Sequence, residues 1–271
     1  MCIRDRKKEY TKTGKCIWCG KSYPDVTFLK QPHIVPRNMG GSCIGFDICD
    51  ECNDYFGTPT KAMPSTNLVF KEVFNAIQFF SKTLTPHSYK NFHSAYFRYN
   101  YSKNTLKLKH WLSIDVFTKQ FKRSLYEVFL QKYHSVTENG HDSKFNYVRS
   151  YARYANIVQD LKVYYAYNRI ILAPEEGYAD LPMTDALIDE IDKYGFFHFW
   201  FKGHNFFMEI EPKKCELIRS VYLQEKANEV LIPIEKDGAE RIYEITNIFQ
   251  IDFLMNRFVK TNFDSNYNIR R

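Results

Sequence analysis

The chain has 271 residues, is 44% hydrophobic and carries a formal charge of +7. Its 20 Tyr and 23 Phe supply material for a substantial core, which excludes disorder over most of the length. The longest aromatic run, Phe196–Phe201, is far shorter than the roughly 20 apolar residues a helix needs to cross a bilayer, so no membrane role is expected.

Seven cysteines, an odd number, fit a metal site in a reducing compartment better than a secreted disulfide framework. Residues 1–8 are charged and lack an apolar segment, so no targeting signal is read there and a cytoplasmic location is expected. Charge is uneven along the chain. Residues 61–150 carry fourteen Lys/Arg against five Asp/Glu, whereas residues 1–60 are nearly neutral and residues 151–271 are net acidic. A basic middle of this kind suits a polyanion, although a lysine-rich solvated helix face has the same composition.

Residues 10–60 are turn-rich, with Gly14, Gly20, Pro24, Pro32, Pro36, Gly40, Gly41, Gly45, Gly57 and Pro59. Within them, residues 26–29 read as a short β-branched and aromatic strand. A short helix is predicted from Asp47 or Cys49 to Phe56, stopped by Gly57 and Pro59. The expected order is strand, loop, strand, helix. After a linker at 61–65, apolar residues at Val69, Val73, Ile77 and Phe80 predict a helix over 69–84. Residues 95–108 read as strands. Residues 113–133 are the best helix, with Val116, Phe117, Phe121, Leu125, Val128 and Phe129 on one face. A further helix is predicted over 145–154.

The last hundred residues read as mainly β. A strand is expected over 164–172, a hairpin over 197–201 and 206–210, and short strands over 230–234 and 242–245. The fold class is therefore α+β: a small N-terminal module at 10–60, a mainly helical basic region at 66–160, and a mainly β region at 161–271, the last two able to form one domain.

One constellation carries chemistry. Cys16-x-x-Cys19 and Cys49-x-x-Cys52 form two knuckles whose four thiolates suit one tetrahedral structural zinc. Between them lies His33-Ile34-Val35-Pro36, then Gly40-Gly41, and Asn53 directly follows the last cysteine. Cys43 also lies between the knuckles, but it lacks a Cys-x-x-Cys partner. His87, His93, His110, His134 and His141 show no metal-ligand spacing.

This order resembles the HNH endonucleases, in the zinc-stapled branch with an endonuclease VII-like cysteine arrangement. The words CIWCGKSYPDVTF, PHIVPRNMGG and FDICDECNDYFG carry the resemblance over about residues 14–58. It implies a ββα-metal unit that hydrolyses phosphodiester bonds in DNA. In that reading His33 is the general base, which takes a proton from water. Asn53 is a ligand to a catalytic Mg or Mn ion, with Asp50, three residues earlier, as a possible second ligand. Asp47 and Asp54 are weaker carboxylate candidates.

The chain departs from the family pattern in one place. The residue before the histidine is usually an acid or a histidine that ligates the metal, and here it is Pro32. The departure implies an alternative: a module that kept its zinc scaffold but binds nucleic acid, or a protein partner, without cutting. For the nucleic-acid surface, Lys103, Lys107, Lys109, Lys119, Lys122 and Arg123 interleave with Tyr99, Tyr101, Trp111 and Phe121. Such interleaving suits a backbone groove with stacking platforms.

Overall fold

The structure, a computed structural model, describes residues 10–60, 63–83, 86–155, 160–167, 181–230 and 242–253. Six helices and six strands follow in chain order among them. Helix α1 is Asp50–Gly57 and α2 is Thr66–Lys82. Strands β1 (Phe97–Asn100) and β2 (Thr105–Leu108) form a hairpin. Then come α3 (Ile114–Thr137), α4 (Asn146–Tyr154) and β3 (Val163–Tyr167). The C-terminal part holds α5 (Asp185–Tyr194), β4 (Phe196–Phe201), β5 (His204–Glu209), α6 (Pro212–Val230) and β6 (Tyr243–Glu244).

Helix α3 is the axis of the molecule. Its whole middle, from Phe117 to Tyr133, is buried almost without a break. Helix α2 packs along it, and the four-stranded antiparallel sheet, in the order β4-β5-β3-β6, closes another side. Where these layers meet, the rings of Phe70, Phe74, Phe121, Phe201 and Phe206 stack edge to face. Phe74 lies 4.8 Å from Phe201, and Phe121 lies 5.7 Å from Phe206. Each such pair adds about 0.5–1.5 kcal/mol beyond the area it buries. The aromatic richness of the sequence is thus spent on a main core, which runs from Cys16 to Phe253, and on a smaller cluster of Tyr164, Phe196, Phe207 and Tyr222.

Helices α1 to α4 and the two hairpins stand where the periodicities place them. Among the described residues after 161, α5 and α6 occupy more of the chain than the strands do, where the sequence reads as mainly β. Helix α5 had legible caps. Thr184 Oγ1 accepts from the Leu187 N–H, and Gly195 ends the helix at φ 74°. Helix α6 had no such signal. Its buried face includes Cys215, Tyr222 and Lys226, a spacing right for a helix but mixed in polarity. The strand expected over 230–234 lies outside the described residues beyond Val230, as do residues 168–172 of the strand expected after Tyr164.

Residues 26–29 are also not a strand. Val26 and Phe28 are buried and alternate with exposed neighbours, as a strand's would. Their backbone partners, however, come from elsewhere. The Leu29 and Lys30 N–H groups donate to the Asp50 carboxylate, and the Phe28 carbonyl accepts from Tyr10. A side chain satisfies this segment in place of a neighbouring strand.

Candidate functional site

The N-terminal module is built from turns that hydrogen bonds and tight glycines close. In the first knuckle, Cys16 N–H donates to the Lys21 carbonyl and Gly20 N–H to the Cys16 carbonyl, with Gly20 at φ 73°. In the second, Cys49 is the N-cap of α1 and Cys52 lies in its first turn. The four Sγ atoms lie within 4.8 Å of one another, and Cys19 and Cys49 are 3.7 Å apart. A tetrahedron with zinc–sulfur bonds of about 2.3 Å has edges of about 3.8 Å. The tetrad therefore fits one four-coordinate zinc with no position left open, which is the form of a structural site.

Hydrogen bonds from Cys49 and Cys52 hold the Cys16 sulfur far below the ordinary thiol range, while the same bond to Cys16 pushes Cys49 up to about 12. Cys49 N–H also donates to Cys16 Sγ at 3.4 Å. From outside the module, the Arg153 guanidinium on α4 donates to Cys52 Sγ at 3.3 Å. Cys43 stands apart from the tetrad, with Lys132 Nζ 3.8 Å from its sulfur.

His33 sits on a minimal antiparallel pair. It faces Ile44 across an isolated bridge, flanked by Gly45 N–H donating to the Pro32 carbonyl and Ile34 N–H donating to the Cys43 carbonyl. Pro32 and Ile34 are buried, and His33 between them is half-buried, as alternation along a strand requires. Pro32 has no N–H to lose, and only its carbonyl is needed there. Burial, and then the nearby Arg37 charge, lower the His33 pKa below its ordinary value, against a hydrogen bond to the Gln31 backbone. After His-Ile-Val-Pro the chain makes a 3-10 turn at Arg37–Met39 and doubles back. At Gly41 an added Cβ would come 2.1 Å from the Val35 carbonyl oxygen, so no other residue fits this turn.

The expected cation set is divided by the structure. Asn53 is half-buried on α1, and its side-chain amide makes no hydrogen bond to a described residue. Asp50, by contrast, is committed. Its carboxylate accepts from Thr27 Oγ1 at 2.5 Å, from Leu29 N–H at 3.0 Å and from Lys30 N–H at 2.7 Å. It locks the 27–30 segment to the start of α1, so the oxygens that the sequence reading offers to a metal also hold this loop. Asp54 pairs with Lys30. Among the described residues no other cluster of metal-ligating side chains accompanies the tetrad.

Asp47 has a structural part that its spacing did not announce. It is fully buried, with φ 57°, and receives the N–H groups of Lys12, Thr13 and Gly14. His134 Nε2 of α3 lies 2.9 Å from its Oδ2. His134 Nδ1 accepts from Gly140 N–H, so Nε2 carries the proton and donates it to Asp47. This pair, the Arg153–Cys52 contact and a hydrogen bond from Arg123 to the Tyr55 hydroxyl clamp the module onto α3 and α4. The sequence reading gave His134 no metal-ligand spacing and did not single out Arg153 or Tyr55. Each is an ordinary polar or aromatic residue until the fold brings its partner.

The six basic residues fall into two groups. Lys103 lies in the turn of the β1–β2 hairpin, Lys107 is exposed on β2, and Lys109 follows it. Those on α3 are inside or engaged. Arg123 is 1% exposed and donates to the Ala152 carbonyl, Gln120 and Tyr55. Lys122 is buried and pairs with Asp160 at 3.1 Å. Lys119 is half-buried and lines a cavity of about 380 Å³ together with Asp115, Asp160 and Glu244. Lys122 and Arg123 are therefore removed from the expected nucleic-acid surface. Helix α3 is covered on nearly all sides, so its polar residues turn inward to one another.

A cysteine tetrad, a two-strand bridge bearing a histidine, and a helix carrying the last two cysteines make up a module able to be stapled by one metal ion. Residues 16–68 match the family model of the HNH endonucleases. No curated protein and no solved structure matches the chain. Among the described residues no helix is long and apolar enough to cross a membrane.

Proposed function

We propose that the protein is a metal-dependent endonuclease that hydrolyses phosphodiester bonds in DNA. The observation that carries this is the conjunction in one module of the cysteine tetrad, the His33–Ile44 bridge and the match over residues 16–68. His33 is the general base. Its half-buried ring offers a nitrogen to take a proton from water, and burial with the Arg37 charge favours the neutral, base form. A Mg or Mn ion would be held by Asn53 and by its own waters, and would supply charge stabilisation at the leaving oxygen. The zinc has no part in the reaction and holds the two arms of the module in register.

The test is plasmid cleavage with Mg²⁺ or Mn²⁺, comparing wild type, His33→Ala and an EDTA control. Metal-dependent nicking that disappears in His33→Ala is the expected result. A second reading is favoured by Pro32, buried against Gly45, and by the committed Asp50. In that reading the module binds nucleic acid without cutting it. Protein that retains zinc and shifts DNA on a gel, yet cleaves nothing in either metal, would establish it.

A further inference from the structure

From Val73 to Ile114 the chain carries no aspartate or glutamate but six cationic residues: Lys82, Lys90, Arg98, Lys103, Lys107 and Lys109. This stretch ends α2 and then forms a 3-10 turn at Pro86–Asn91 and the β1–β2 hairpin. The hairpin has two unlike faces. Phe97 and Leu106 are buried against the core. On the other face Arg98 stands opposite Lys107, and both are exposed. Arg98, Lys103, Lys107 and Lys109 form no ion pair with any described residue. Glu72, at the root of the hairpin, is 8% exposed and accepts from Ser94 Oγ and the Ala95 N–H.

An exposed aromatic ring stands near each end of the hairpin. Trp111, 59% exposed, lies against Tyr96, whose carbonyl accepts from Lys109 N–H. At the turn, Tyr101 is 40% exposed and carries Lys90 Nζ 4.6 Å above its ring. At about 3.3 Å per strand residue the two rings are separated by roughly 15 Å of cationic surface. Charge alone would suit any polyanion. Exposed rings at both ends add something a paired duplex cannot use, because its bases are already stacked on one another. Unpaired bases can leave that stack for an aromatic platform.

We infer that the outer face of the β1–β2 hairpin is a binding site for an unpaired stretch of DNA. Arg98, Lys103, Lys107 and Lys109 take the phosphates, and Trp111 and Tyr101 take bases. The site lies outside residues 16–68, and only the choice of DNA over RNA rests on the nuclease reading. It gives the chain a preference for gapped, flapped or single-stranded substrates over continuous duplex.

The test is fluorescence anisotropy with three labelled probes: a single-stranded DNA oligonucleotide, the same sequence fully paired, and the same sequence as RNA. The expected result is that Trp111→Ala weakens single-strand binding by about 5- to 150-fold, the loss of one stacked base. It leaves duplex binding unchanged, and Trp111→Phe restores most of the loss. Arg98→Ala with Lys107→Ala should weaken binding and reduce the salt slope by about 1.4, two single-strand phosphate contacts. Equal loss on single strand and duplex, or no loss in either variant, would overturn the inference. Tighter binding of RNA than of DNA would overturn the assignment to DNA. Plasmid cleavage by Trp111→Ala and by the wild-type protein is measured alongside, so a failure of the nuclease reading appears in wild-type cleavage and a failure of this site appears in binding.

Discussion

The Arg153 guanidinium rests at once on a metal-site sulfur and on an aromatic ring. Its Nε is 3.3 Å from Cys52 Sγ, and its central carbon is 3.9 Å from the centre of the Tyr55 ring. A cation that donates to a zinc thiolate offsets the negative charge of a four-cysteine site, and the stack fixes its plane. Arg153→Ala is expected to lower zinc affinity about 10- to 100-fold, the usual effect of losing a partner of a ligand. Arg153→Lys should recover only part of it, since an ammonium does not stack as a guanidinium does. Competition with a chromogenic chelator measures this, and zinc held as tightly as in wild type would refute it.

Cleavage should depend on pH in the direction that the His33 environment dictates. Burial and the Arg37 charge lower its pKa, so the base form persists to lower pH than for an ordinary imidazole. The acid limb of kcat/KM should have its midpoint below about 6.5, and Arg37→Ala should move it upward. An acid limb centred above the ordinary histidine value would remove His33 from the role of base.

Glu127 predicts a pH dependence of stability. Burial pushes its pKa from the ordinary 4.5 up to about 8, against hydrogen bonds from Thr66 and Gln131 and the Arg123 charge. A carboxyl whose pKa is raised on folding stabilises fully below its unfolded pKa, and this is lost as pH rises through the folded value. Urea unfolding should therefore show stability declining between about pH 4.5 and pH 8. Glu127→Gln should flatten that decline. An unchanged slope in the variant would mean that other groups cause it.

Arg123 and Lys107 should behave as opposites. Arg123→Ala leaves the Ala152 carbonyl and the Tyr55 hydroxyl without their donor, and removes the cation near Glu127. The expected cost is about 3–5 kcal/mol of stability, the range for breaking a buried charged network. At a temperature where the variant is folded, its DNA affinity should equal that of wild type. Lys107→Ala should leave stability within about 0.5 kcal/mol, as exposed substitutions do, and weaken binding.

Gly41→Ala tests the turn behind His33. The new Cβ would meet the Val35 carbonyl at 2.1 Å, a contact the backbone must move to relieve. Cleavage should fall by at least tenfold, with zinc content unchanged, because the tetrad lies on other segments. Full activity would show that the His33 segment tolerates displacement.

The sequence by itself determined the metal staple, the histidine between its knuckles and the helices with apolar faces. Cys16, Cys19, Cys49 and Cys52 are readable because a tetrahedral site demands ligands in local pairs, and local spacing survives in one dimension. The same holds for α2, whose buried positions repeat with the helical period, and for α3, whose apolar residues do. Only the tertiary structure decided which polar residues face water. Lys122 and Arg123 read like Lys107 along the chain, yet α3 is enclosed and β2 is not, so two of these cations are interior and one is free. Asp50 read as a metal ligand because helical spacing placed it near Asn53, and the segment that claims its oxygens lies twenty residues away. Asp47 and His134, 87 residues apart, carry no mark of each other. A buried charge is defined by its partners, and when these come from distant segments only the folded chain brings them together.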